Sequence, residues 1–138
     1  MEQINYNLLR NLDEKYGSPF YIMDSDKYRF NLNSFLNAFR KRYEKVIAGY
    51  SFKTNYVPAL CKIALDEGCF AEVVSEMEYE LARKIGFTNV IFNGPIKRPH
   101  ILKKALEQGA IINLDSEYEV DFVCRYKQQN PLQNVRVG

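Results

Sequence analysis

The sequence predicts an α/β fold, about the first half of a (β/α)8 barrel, from three observations. Short apolar runs centred near Tyr50, Glu72, Ile91, Ile112 and Arg136 recur about 19 to 24 residues apart, room for one strand, one helix and tight loops. Amphipathic segments fill the gaps between them, and repeated βα units imply a parallel sheet. No Gly-x-Gly-x-x-Gly turn follows the first run, as a doubly wound nucleotide-binding sheet would want, so the barrel is the favoured architecture. A barrel of this type needs about 200 residues or more. The 138 residues supply four βα units and a fifth strand, so a truncated or split product, or a sheet completed by another chain, is expected.

Composition sets the class. With 46% hydrophobic and 26% charged residues the chain can build one core. Residues 1–44 read as a lead-in strand and helix, and 45–138 as the barrel portion. The net charge of +2 arises without a basic tract, which argues against a nucleic-acid partner. Cys61, Cys69 and Cys124 are odd in number and lack Cys-x-x-Cys spacing, and the polar start at Glu2, Gln3 and Asn5 is unlike a secretory signal; a reduced, cytoplasmic protein is expected. No apolar run approaches the roughly 20 residues of a membrane span. One histidine and three scattered cysteines provide no local spacing for a structural metal site.

In chain order, Tyr16-Gly17-Ser18-Pro19 signals a turn and Phe20-Tyr21-Ile22-Met23 a short strand. Asp24 or Ser25 can cap a helix running to about Tyr43, with Tyr28, Leu32, Phe35, Leu36 and Phe39 on one stripe. Further helices are predicted over Val57–Glu67, Glu76–Ile85, Pro99–Gln108 and Glu117–Gln128. Ser75-Glu76-Met77-Glu78 and Ser116-Glu117-Tyr118-Glu119 are capping-box sequences, and Gly68, Gly86 and Gly109 stand where helices end. The strands Val90-Ile91-Phe92 and Ala110-Ile111-Ile112 are apolar throughout, as strands buried on both faces are.

The first barrel strand carries the strongest chemical signal. Alternation puts Ile47, Gly49, Ser51 and Lys53 on one face and Val46, Ala48, Tyr50 and Phe52 on the other. The bulky face suits a helix layer, and the small face leaves room for a ligand beside Lys53. A primary amine there can condense with an aldehyde once it is neutral. In a barrel, function collects at the C-terminal ends of strands, here Lys53–Asn55, Glu72–Ser75, Asn93–Lys97, Asn113–Ser116 and Arg136 onward. Taken singly, Asn93-Gly94-Pro95 reads as a turn, Ser75 and Ser116 as caps, and His100 after Pro99 as a helix-start surface residue.

These segments, in order, resemble the fold-type III pyridoxal-phosphate decarboxylases, the family that includes diaminopimelate, ornithine and arginine decarboxylases. Tyr16-Gly17-Ser18-Pro19-Phe20-Tyr21 is similar to the family's opening segment, and Tyr50-Ser51-Phe52-Lys53-Thr54-Asn55 to its cofactor-lysine motif. Ala71-Glu72-Val73-Val74-Ser75 with Glu78, Phe92-Asn93-Gly94-Pro95-Ile96-Lys97, Asn113-Leu114-Asp115-Ser116-Glu117 and Val135-Arg136-Val137 resemble the next four strand segments. The resemblance covers nearly the whole chain and is greatest to the N-terminal part of the diaminopimelate branch.

The resemblance implies pyridoxal 5'-phosphate as cofactor, with Lys53 forming the internal aldimine, and a small amino-acid substrate that loses its carboxylate in lysine biosynthesis. It also implies that Arg136 lies near the cofactor, that Glu72 fills a second-strand position usually held by aspartate, and that the complete protein is a homodimer. The family's stacking histidine, glycine-rich phosphate loop, acidic partner of the pyridinium nitrogen and second β-domain have no counterpart up to Gly138, so the 138 residues alone are expected to be inactive. Other readings are a non-catalytic barrel remnant or interaction module, and a racemase or pyridoxal-phosphate homeostasis relative of the same fold class.

Overall fold

The computed structural model describes residues 4–138. Two helices, α1 (Tyr6–Tyr16) and α2 (Ser25–Arg40), precede a βα series: β1 (Gly49–Ser51), α3 (Pro58–Asp66), β2 (Phe70–Val73), α4 (Glu76–Ile85), β3 (Val90–Phe92), α5 (Pro99–Glu107), β4 (Ile111–Ile112), α6 (Glu117–Gln129) and β5 (Arg136–Val137). The strands form one parallel sheet in sequence order. Every strand and helix expected from Val46 onward is present, with helix ends within a residue or two of the spacing estimate.

Alternation and register explain the sheet's two faces. Val73, Phe92, Ile112 and Val137 are level across β2 to β5, while Ser51, Glu72, Ile91, Ile111 and Arg136 form a row from β1 to β5. Parallel partners project to the same side, so each row belongs to one face. Phe52, Ala71, Val73, Val90, Phe92 and Ile112 pack into the core with Cys61 and Ala64 of α3, Tyr79 and Ala82 of α4, and Ile101, Leu102 and Ala105 of α5. Phe52 is wholly buried, worth about 1.5–3 kcal/mol by area alone. Tyr79 stacks on Phe92 with ring centroids 5.4 Å apart, donates its hydroxyl to Gln108 and accepts from Arg83. Burial raises the pKa of that hydroxyl.

The capping boxes form with a shared variation. Ser75 Oγ accepts from Glu78 N and Ser116 Oγ from Glu119 N, at 3.2 and 3.3 Å. The glutamates reach back one residue beyond the cap, to Val74 N at 2.8 Å and Asp115 N at 3.0 Å. Each box therefore ties the end of a strand to the start of the following helix.

The first 44 residues depart from expectation. Phe20–Met23 is not a strand: no described strand lies alongside to pair with it, and Tyr21, Ile22 and Met23 are exposed. A strand gains its hydrogen bonds only from a neighbour. Helix α1 has no buried residue and rests on local terms, the Asn5 cap on Leu8 N and the Arg10–Glu14 pair. On α2 the predicted stripe is only partly covered: Leu36 is buried and Leu32 touches the core, but Phe35 and Phe39 are exposed and pack edge to face on each other. Arg29 and Asn33 fasten α2 to Glu67 at the end of α3, and their hydrogen bonds hold that carboxyl below its usual pKa.

Candidate active site

Lys53 lies in the turn after β1, and its neighbours fix that turn. Phe52 is anchored in the core, and Phe52 N donates to Glu72 O at 2.9 Å. Ser51 O accepts from Thr54 N and Asn55 N, at 3.2 and 3.4 Å. Tyr50 Oη donates to Asn55 O at 2.8 Å, and Asn55 Oδ1 accepts from Val57 N at 2.9 Å, leading into α3. Burial pushes the Tyr50 hydroxyl pKa far upward, so the phenol remains a neutral donor. Each other motif residue with a described contact holds backbone, while the Lys53 side chain is exposed.

That side chain borders a crevice of about 650 Å³ lined by Ser51, Glu72, Val74, Asn93, Gly94 and Pro95, with Asn113 and Asp115 at the far end. Small-ligand sites commonly fall between roughly 300 and 1,000 Å³. A polar ladder crosses its floor: Asn113 Nδ2 donates to Asn93 Oδ1, and Asn93 Nδ2 donates to Glu72 Oε1 at 2.6 Å. Gly94 has φ +101°, and a Cβ there would collide with the Val74 carbonyl, so only glycine lets the loop after β3 cross the end of β2 so closely.

Behind the rim, Lys97 is buried. Its Nζ donates to Glu119 Oε2 at 2.8 Å, Gly94 O at 2.7 Å and Asp115 Oδ2 at 3.3 Å, while its backbone N donates to Glu119 Oε1 at 3.1 Å. The same glutamate closes the second capping box, so one buried ion pair joins the loops after β3 and β4. Three acceptors occupy the Lys97 amine, leaving Lys53 as the amine that borders the crevice.

Of the residues singled out from sequence, Lys53 and Glu72 border the same crevice. Arg136 is on the same face of the sheet as Glu72 but three strands away, roughly 14 Å along the sheet, and is exposed outside the crevice. His100 is an exposed residue at the start of α5, 2.9 Å from Glu76. Sequence reasoning assigned Asn93 to a turn; its backbone N in fact continues the ladder to Val73 O at 2.8 Å and its side chain is part of the floor. Asn113 and Asp115 were grouped with the strand ends, but no local signal paired Asn113 with Asn93.

Residues 30–137 match the family model described as pyridoxal-dependent decarboxylase, pyridoxal binding domain. The diaminopimelate decarboxylase of Methanocaldococcus jannaschii is 29% identical over 116 residues, covering 79% of this chain and 26% of that protein. The Bacillus subtilis diaminopimelate decarboxylase is 34% identical over 113 residues, again covering 79% and 26%. The crystal structure of the M. jannaschii diaminopimelate decarboxylase in complex with L-lysine superposes with a TM-score of 0.80 at 27% identity, covering 92% of this chain and 31% of that one. The sheet and its helices are thus part of a TIM-type barrel, and the chain spans about a quarter of the length of the curated relatives it matches. Among the described residues, no helix is long and apolar enough to cross a membrane.

Proposed function

The chain belongs to the pyridoxal-dependent decarboxylases, whose pyridoxal-binding domain it matches over residues 30–137, and on that premise we propose that it is the cofactor-lysine portion of an amino-acid decarboxylase acting on diaminopimelate, with Lys53 as the attachment residue. The observation that carries this reading is that Lys53 is the amine bordering the crevice. The identity of the two diaminopimelate decarboxylases above supports the substrate. A lysine-producing step in the cytoplasm, a barrel portion at 45–138 after a lead-in at 1–44, and a homodimer belong to the same proposal.

The donor set suits one end of pyridoxal phosphate. An exposed primary amine is available for the aldehyde, and a carboxylate and two amides can orient polar groups above the floor. The phosphate end is not provided for: among the described residues the crevice lining holds one cation, Lys53, against Glu72 and Asp115. We assign the phosphate and the pyridinium nitrogen to residues outside this chain, with Arg136 contributing a cation on the same face.

Pyridoxal phosphate, when bound, supplies the electron sink that lets an amino acid lose its α-carboxylate as carbon dioxide. Lys53 is the residue that would hold the cofactor, through its Nζ at the aldehyde end, and that amine would have to be unprotonated to do so. With cofactor and substrate bound, Lys53 Nζ would be placed to hold a proton and return it to the product. Phe52 in the core and the Tyr50–Asn55 bond hold the turn that carries that nitrogen, and Glu72, held by Asn93, presents a carboxylate to the same crevice.

Borohydride reduction of the purified protein with pyridoxal phosphate, followed by peptide mapping, tests the assignment. The label is expected on the Lys53 peptide and is expected to vanish in Lys53→Ala. Labelling of Lys62 or Lys97 with Lys53 unmodified would overturn it.

A further inference from the structure

The ladder on the crevice floor has a direction, and Glu72 sets it. An ionised carboxylate can only accept hydrogen bonds. Asn93 must therefore turn its amide nitrogen toward Glu72, which leaves Oδ1 toward β4, and Asn113 answers with its own amide nitrogen. One acceptor-only group at the β2 end thus orients two amides on the next two strands. Conversely, the amides restrain the carboxylate: Oε1 is occupied by Asn93, and Oε2 has no side-chain donor among the described residues.

The register makes this cross-strand chain possible. Glu72 is level with Ile91, so Asn93 lies on the same face one diagonal step further along, and Asn93 is level with Asn113 because Ile91 is level with Ile111. Both asparagines are half-buried, where an unpaired amide is costly and a paired one is held. The charged groups around Glu72 are Lys53 from the turn after β1, Asp115 from the loop after β4 and, further along the same face, Arg136 from β5. With charges of both signs nearby, the position of the Glu72 carboxylate decides the field that a ligand on the floor meets.

We propose that Asn93 and Asn113 are positioning residues for the cofactor: they hold the Glu72 carboxylate in one orientation on the β2 side of the floor, beside the Lys53 strand. The inference rests on the Lys53 reading but concerns where the negative charge stands, not which amine reacts. A merely structural ladder would need only its hydrogen bonds, whereas a positioning ladder needs the charge on β2.

A charge swap separates the two. In Asn93→Asp two carboxylates meet across what was a 2.6 Å hydrogen bond, and the variant is expected to lose thermal stability and to bind pyridoxal phosphate roughly tenfold or more weakly. In Glu72→Gln/Asn93→Asp the hydrogen bond returns with donor and acceptor exchanged, and Asn113 still has an oxygen to donate to. The melting temperature should recover, but cofactor affinity and the visible circular dichroism of bound cofactor should not, because the charge has moved to β3. Recovery of melting and affinity together, with wild type labelled at Lys53, would overturn the positioning role alone. Wild-type label on another lysine would overturn the Lys53 reading and this inference with it. If Asn93→Asp does not fold, Asn113→Leu carries the test: unchanged affinity and visible circular dichroism would overturn the proposal, and weakened affinity at unchanged far-ultraviolet circular dichroism would support it.

Discussion

Phe92 and Asn93 are adjacent in sequence and belong to opposite faces of the sheet. Phe92 is 1% exposed, stacked on Tyr79 and enclosed by the helix layer; Asn93 is half-buried on the crevice floor between Glu72 and Asn113. The same contrast holds at Phe52 and Lys53 and at Val73 and Val74. Toward the helices the sheet is apolar and closed; the other face is more open and carries its polar groups at the crevice, beside the half-buried Ile91 and Ile111. Stability and chemistry are therefore separated by the parity of residue position rather than by region, since the strands supply both faces.

The largest effect that sharpens this contrast is on the closed face. Phe92→Ala removes a ring packed on all sides and should cost about 3–5 kcal/mol of unfolding free energy, whereas Asn93→Ala, which leaves Glu72 and the half-buried Asn113 without their partner, should cost about 1–3 kcal/mol. Denaturant titration of both variants measures the difference. Equal costs would break the comparison, because the crevice face would then be contributing to the fold as much as the core does.

The closed face was legible because its signals are local. Apolar strands, serine caps followed three residues later by glutamate, and glycines after helices sit within a few residues of one another, so β2 to β4 and α3 to α6 could be read directly. The open face depends on register. Asn93 precedes Gly94 and Pro95, which mark a turn whether or not the asparagine faces a ligand, and its partners lie 20 and 21 residues away. The Lys97–Glu119 pair, 22 residues apart, was hidden for the same reason. The lead-in failed differently: Phe20–Met23 has the composition of a strand, but pairing is a property of the neighbour as well as of the segment. Helix α1 was missed although its signals are local: Asn5 caps it, and Leu8, Leu9, Leu12 and Tyr16 recur at helical spacing, a stripe that no described residue buries.

Intermediate effects belong at the seams between the faces, where strands pass into helices. Ser75→Ala removes the cap of α4 and should cost about 0.5–2 kcal/mol. Ser116→Ala should lie near the lower end of that range, because Glu119 remains fixed by Lys97 and continues to hold Asp115 N. Glu78 makes the same return bond to Val74 N without a lysine behind it. Thermal melts of the two variants make the comparison, and a larger loss at Ser116 would mean that the ion pair depends on the cap rather than supporting it.

The smallest stability effect should occur at the residue with the largest chemical one. Lys53 is exposed, and the turn that carries it is held by the Phe52 ring, the Tyr50–Asn55 bond and the Ser51 carbonyl, none of which uses the lysine side chain. Truncation to alanine removes little buried area and takes away no hydrogen bond made by the lysine side chain among the described residues, so Lys53→Ala should change stability by no more than about 0.5 kcal/mol. Denaturation midpoints of wild type and variant, measured without cofactor, check this. A loss well above that figure would show that the lysine is part of the packing of the turn, and the absence of a borohydride label in Lys53→Ala could then reflect a distorted crevice rather than a missing amine. An unchanged midpoint makes the lost label a statement about chemistry at Lys53 Nζ.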